Sequence, residues 1–140
     1  MYHQTERVTA AYFPDVDEII LVPRGQFTRI PTSPHQYVVI MSHQFDIDLE
    51  ATKQLLPTSV RYIGLLGSRT RINRLIETIK NDGLGDSLMF DKLHAPVGLD
   101  LGAKTPEEIT LSIMAELVAI HHKATGGYLS ERKTWHGTSR

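Results

Sequence analysis

The chain has 140 residues, 41% of them hydrophobic and 22% charged, with a formal net charge of -1 and no cysteine. That length suits one domain with a real hydrophobic core, and the composition excludes a disordered or fibrous chain. A sequence pI near 6.6 leaves no basic excess for a nucleic-acid backbone, and the missing cysteines exclude disulfides, thiolate metal sites and persulfide or thioester chemistry run by this chain alone.

Residues Met1–Pro14 are mixed and polar, without a basic-then-apolar leader pattern, and no apolar run approaches the ~20 residues of a membrane span. The expected compartment is the cytoplasm. Asp17–Val22 (DEIILV), closed by Pro23 and Gly25, predicts a first strand. Gln36–Met41 (QYVVIM) predicts a second and Arg61–Leu66 (RYIGLL) a third, ending at Gly67. All three runs are continuous rather than alternating, as in parallel strands covered on both faces.

Helical patterns lie between and after them. Phe45–Leu56 carries Leu49, Leu55 and Leu56 and stops at Pro57. Ser68–Asn81 places Ile72, Leu75, Ile76 and Ile79 on one stripe, with Gly83 as its stop. Thr105-Pro-Glu-Glu108 offers a capping hydroxyl, a proline at the first helical position and a glutamate reaching back to the cap. The helix it opens runs to about Lys123, with His121, His122 and Lys123 suiting its negative end. Apolar residues cover much of its circumference, so burial against a sheet or a partner is expected. The tail from Gly126 is polar and expected to be loose; no repeat or linker is evident, and residues 1–140 read as a single domain. Alternating strands and helices predict an α/β fold: a three-layer, Rossmann-like open parallel sheet flanked by helices.

Three stretches can carry chemistry. Gly64-Leu-Leu-Gly67-Ser68-Arg69-Thr70-Arg71 joins the carboxyl end of a strand to a helix start. Its glycines permit close approach, the helix presents unpaired N–H groups, Ser68 can cap or donate, and Arg69, Arg71 and Arg74 add cationic forks suited to phosphate or carboxylate. Such edges bind ligands in open α/β sheets; the plain alternative is a tight turn with solvated arginines. Ser42-His43-Gln44-Phe45-Asp46-Ile47-Asp48 falls on the same edge, where His43 can act as acid, base or donor and Asp46 and Asp48 can orient it or bind a cation. Alternatively, Ser42 or Asp46 simply caps the next helix. In the third stretch, His94–Pro106, a short apolar strand leads to Gly98 and Gly102, whose spacing suggests unusual backbone angles or close approach; Asp100 between them either meets a ligand or ties its own loop, and Lys104 reads as a solvated charge. Glu116, within the apolar helix, is either a surface stripe residue or a buried carboxylate with a role. No complete ligand set for a tightly held metal is present.

Together FPDVDEII, VVIMSHQFDIDLEATKQLLP, YIGLLGSRTRINRL and HAPVGLDLGAKTPEEITLSIMAELVA resemble the C-terminal Rossmann-type domain of the XdhC/CoxI family, accessory factors of xanthine dehydrogenase and related molybdenum hydroxylases. The resemblance covers roughly Ala11 to Lys123. It implies a helper rather than a conventional catalyst: a chaperone that binds the molybdenum cofactor (molybdopterin), protects it while its sulfido ligand is installed, and delivers it to the apo-hydroxylase. The positions matching the family's motifs are His43, Asp46, Asp48, Gly64, Gly67, Ser68, Arg69, Gly98, Asp100 and Gly102. The family's Rossmann domain normally opens with a glycine-rich strand–turn–helix and a second strand, and a separate N-terminal domain precedes it. This chain is expected to begin after these. DEIILV must then pair directly with QYVVIM, or a second copy must fill the gap, so self-association is expected. An NAD(P)-dependent oxidoreductase is the competing reading, weakened because Gly64-x-x-Gly67 is not G-x-G-x-x-G. A structural remnant that only pairs with a partner is the third.

Overall fold

The computed structural model describes residues 11–84 and 87–132, and it divides into two compact units, Met1–Val97 and Gly98–Arg140. The first unit holds a parallel three-stranded sheet, β1 (Tyr37–Ile40), β2 (Tyr62–Leu65) and β3 (Leu93–His94), in that spatial order. Helix α1 (Phe45–Leu55) connects β1 to β2, and α2 (Arg69–Asn81) follows β2. Helix α3 (Pro106–His121) lies in the second unit. The Rossmann-like α/β expectation holds: strands alternate with helices, and the sheet is open and parallel.

Strand pleating divides the sheet residues between two faces. Tyr37 pairs with Tyr62, and Val38 with Ile63, in register. Val38, Ile40, Ile63, Leu65 and Leu93 therefore share one face, where they meet Ile47, Ala51 and Leu55 of α1 and Ile72, Leu75 and Ile79 of α2. On the other face Tyr62 is fully buried, its ring 4.6 Å from that of His94 and 5.7 Å from that of Tyr37. Gly64 lies on this face, and a Cβ there would come within 2.5 Å of Val97 and 2.9 Å of the Tyr62 hydroxyl. The space that a side chain at 64 would need is filled by protein.

The strands predicted at Gln36–Met41 and Arg61–Leu66 and the helices predicted at Phe45–Leu56 and Ser68–Asn81 shorten by a residue or two without changing type, and Ser68 caps α2 as its N-cap residue. The apolar run Asp17–Val22 is a correction: it is not a strand. Leu21 is 55% exposed, and in that run only Val22 is buried, just before the turn in which Gln26 N–H donates to the Pro23 carbonyl. An apolar run makes a strand only when a neighbour exchanges backbone hydrogen bonds with it, and the ladders among the described residues join β1 to β2 and β2 to β3.

The second unit is built around the start of α3. Thr105 and Glu108 form the expected reciprocal capping box. Backbone N–H groups of Lys104 and then Thr105 donate to the Glu108 carboxylate and hold its pKa below the ordinary value of 4.5. A lowered folded pKa means that this stabilisation is complete above the ordinary carboxylate range and fades as pH falls through the lowered value. Glu108→Gln keeps the capping geometry but cannot titrate, so the gap in melting temperature between it and the wild type should narrow from about pH 6 to about pH 3. The expected loose tail begins at Gly126 with a short turn of helix at Leu129–Glu131, and its remainder, from 133, lies outside the described residues.

Candidate functional site

The carboxyl ends of β1 and β2 lie side by side, with Leu66 N–H donating to the Ile40 carbonyl, and both chains then turn into helices. At the first turn Ser42 is followed by His43, which sits in the left-handed region at φ 62 and is exposed. The Ser42 hydroxyl accepts from Gln44 N–H, and α1 starts after Gln44 with no side-chain cap. Neither Ser42 nor Asp46 caps α1. Asp46 is solvent-facing on the first turn, 3.8 Å from Arg24.

Asp48 is the buried centre of this edge, with 0% exposure. One carboxylate oxygen accepts from Ser42 N–H at 3.1 Å and from the Ser42 hydroxyl; the other accepts from Arg71 Nη2 at 2.6 Å. Arg71 Nη1 donates to the Leu66 carbonyl at 3.3 Å. Sequence reasoning placed Asp48 and Arg71 separately in the ligand site; here they join each other, tying the β1–α1 turn to the β2–α2 turn. The helical spacing carried a signal of this: Asp48 is one turn before Thr52 and two before Leu55, both inward-facing. A carboxylate on an inward stripe requires a charged or hydrogen-bonding partner.

The second turn opens α2. Ser68 Oγ accepts from Arg71 N–H at 3.3 Å, which leaves the Arg69 and Thr70 amides, the first two of the helix, without intrahelical acceptors. Those amides lie at the positive end of a 13-residue helix. Of the three arginines in this stretch, Arg71 is neutralised by Asp48 and Arg74 lies over the Phe45 ring at 4.8 Å. Arg69 is exposed and makes no hydrogen bond or ion pair among the described residues. Gly67, half-buried before the cap, has Arg71 Nη1 3.1 Å from where its Cβ would be, so glycine leaves room for the guanidinium. The structure thus brings His43, Gly67, Ser68 and Arg69 to the ends of adjacent strands, with Asp48 and Arg71 beneath them as braces.

The third predicted stretch begins in the first unit, with His94 in β3, and from Gly98 on it lies in the second unit. Gly98 and Gly102 have φ of 108 and 65, as their expected unusual angles require. Gly98 is also packed: a Cβ would strike the Ser112 hydroxyl. Ser112 Oγ donates to the Leu99 carbonyl at 2.7 Å, and Leu99 N–H donates to the Ser112 carbonyl. Asp100 is exposed, and Glu116 is buried, at 9% exposure. No group of three metal-ligating side chains gathers among the described residues.

The model of the XdhC Rossmann domain matches residues 1–117. The chain is 33% identical over 111 residues to a probable xanthine dehydrogenase subunit from Bacillus subtilis strain 168, covering 79% of this chain and 31% of that protein. It is 32% identical over 96 residues to the protein YqeB of Escherichia coli strain K12, covering 69% of this chain and 17% of that one. Among solved structures, a xanthine dehydrogenase from Bacillus halodurans matches with a TM-score of 0.73 at 36% identity, covering 87% of this chain and 36% of that one. The chain spans well under half the length of each of these relatives. Its alternating parallel sheet, its paired strand-end turns and these matches place it in one family: the chain belongs to the XdhC family, as its Rossmann domain.

Proposed function

We propose that this domain serves an accessory factor of the xanthine dehydrogenase system, holding the molybdenum cofactor by its phosphate and handing it to the apo-enzyme or a related molybdenum hydroxylase. One observation supports the reading: the first two amides of α2 have no intrahelical acceptor, and the exposed Arg69 stands on that same turn, just past the carboxyl end of β2. This donor set fits a phosphate, which accepts from amides and from a guanidinium fork. It contains no thiolate for molybdenum, so the fit concerns the phosphate end of molybdopterin. The cofactor, when bound, supplies the redox chemistry of the client enzyme.

The chain's own residues bind and orient. Arg69 neutralises the phosphate, and Ser68 fixes the helix start so that the amides point outward. His43, on the neighbouring turn, is an exposed donor for a polar edge of the ligand. Asp48 and Arg71 are positioning residues, keeping both turns in register. No part of this reading rests on Asp46, Gly64, Gly98, Asp100 or Gly102.

Titration with molybdopterin, followed by pterin fluorescence, tests it. Arg69→Ala should weaken binding by about 10- to 100-fold, the worth of one charge-assisted hydrogen bond, with an unchanged melting temperature. NAD(P) binding with hydride transfer, and indifference to molybdopterin, would instead establish the oxidoreductase reading.

A further inference from the structure

The β1–α1 turn holds a residue in a conformation that its own side chain does not favour. His43 stands at φ 62, in the left-handed region, where a Cβ crowds the backbone and glycine or asparagine sits with less strain. Such a residue persists only when its surroundings over-determine it. Here they do. The Ser42 N–H and hydroxyl donate to the fully buried Asp48, and Gln44 N–H donates back to Ser42 Oγ, closing a loop around position 43. Asp48 is held in turn by Arg71, so the strained residue is anchored to the α2 turn as well.

None of these bonds uses the imidazole, and glycine at 43 would keep them all. His43 is exposed, and among the described residues its ring makes no hydrogen bond, ion pair or ring contact. The turn therefore carries the cost of a Cβ at φ 62 without a bond from the ring in return, which is the pattern of a side chain held for a ligand. Position indicates which part of the ligand. Strands β1 and β2 run in parallel register, with Ile40 beside Leu65, and Leu66 N–H donates to the Ile40 carbonyl. Adjacent strands lie about 4.8 Å apart, so the turn at His43 leaves the sheet next to the turn at Ser68, one strand spacing away from the phosphate seat. Arg69 and the α2 amides already meet the phosphate charge. A neutral imidazole offers one donor and one acceptor, which suits the edge of a heterocycle that carries both.

We propose that His43 is the specificity-determining residue of this site: the α2 turn holds a phosphate, and His43 selects the phosphate ester whose body presents a hydrogen-bonding heterocyclic edge, as a pterin does. The assignment rests on the phosphate seat proposed above and adds what discriminates among phosphate esters there.

The full chain with glycine or asparagine at position 43 tests it against two probes, molybdopterin followed by pterin fluorescence and inorganic phosphate followed by the amide shifts of residues 67–70. His43→Gly and His43→Asn should leave the melting temperature at or above that of the wild type, since both residues accept the left-handed conformation more readily. Each should weaken molybdopterin binding by about 3- to 10-fold, the worth of one neutral hydrogen bond, and leave phosphate binding within about twofold. Arg69→Ala should weaken both probes alike. A fall in melting temperature in both variants would make the imidazole a structural part of the turn and overturn the assignment. So would an equal loss for the two probes, or no loss for either. A wild type that binds phosphate but holds molybdopterin no better refutes the role of His43 and leaves the phosphate seat standing; a wild type that binds neither refutes the seat, and the assignment with it.

Discussion

Arg71→Ala should destabilise the protein by about 3 kcal/mol or more, the cost of leaving a buried carboxylate without its cationic partner. Asp48 is completely buried, and with Arg71 gone its charge keeps only the Ser42 donors. The Arg71 side chain is 24% exposed, so water can partly replace it, which places the effect at the lower end of the usual ~3–5 kcal/mol. Arg71→Lys should fall between wild type and alanine: it restores a charge near Asp48 but not the planar fork that also reaches the Leu66 carbonyl. Urea unfolding reads all three directly. A loss below about 1 kcal/mol for Arg71→Ala would mean that the pair behaves as an exposed surface bridge and does not brace the two turns.

Gly98→Ala should cost a comparable amount for a different reason. With φ at 108, any L side chain there is strained, at about 1–3 kcal/mol. Its Cβ would also strike the Ser112 hydroxyl and lie 3.3 Å from Ser112 Cβ and 3.4 Å from the Ile113 amide nitrogen, adding an overpacking cost of ~1–3 kcal/mol. The Ser112–Leu99 hydrogen bonds that close the loop onto α3 would be displaced together. Gly102→Ala is the internal control: its φ is 65, but nothing lies within 4 Å of the added carbon, so only the conformational cost of about 1 kcal/mol remains. Thermal unfolding of the two variants should rank them in that order, and equal losses would show that the Ser112 contact does not matter.

The comparison between these positions shows what was legible in the chain. Ser68 and the Thr105 capping box were plain because caps are local: the acceptor, the amide and the spacing all lie within four residues. The Gln36–Met41 and Arg61–Leu66 strands were plain for a similar reason, since a run buried on both faces is apolar at every position. Asp17–Val22 shared that composition and misled, because strand formation depends on a neighbouring backbone that the run itself does not encode. Gly64 and Gly98 were visible as glycines, but the Tyr62 hydroxyl, Val97 and Ser112, which fill the space beside them, were assigned only once the fold was built. In the same way, Asp48 and Arg71 carried the right residue types for a ligand site. Their commitment to each other depends on a contact across 23 positions of sequence, which no local pattern reports.

The central claim is that a phosphate-bearing ligand seats on the start of α2. Backbone amide shifts in heteronuclear NMR during titration with molybdopterin test it most directly. The largest shifts should fall on Gly67, Ser68, Arg69 and Thr70, with a smaller set at Ser42 and His43. Inorganic phosphate at higher concentration should reproduce the first group alone. Shifts concentrated elsewhere, with the amides of residues 67–70 unmoved at saturation, would contradict the account.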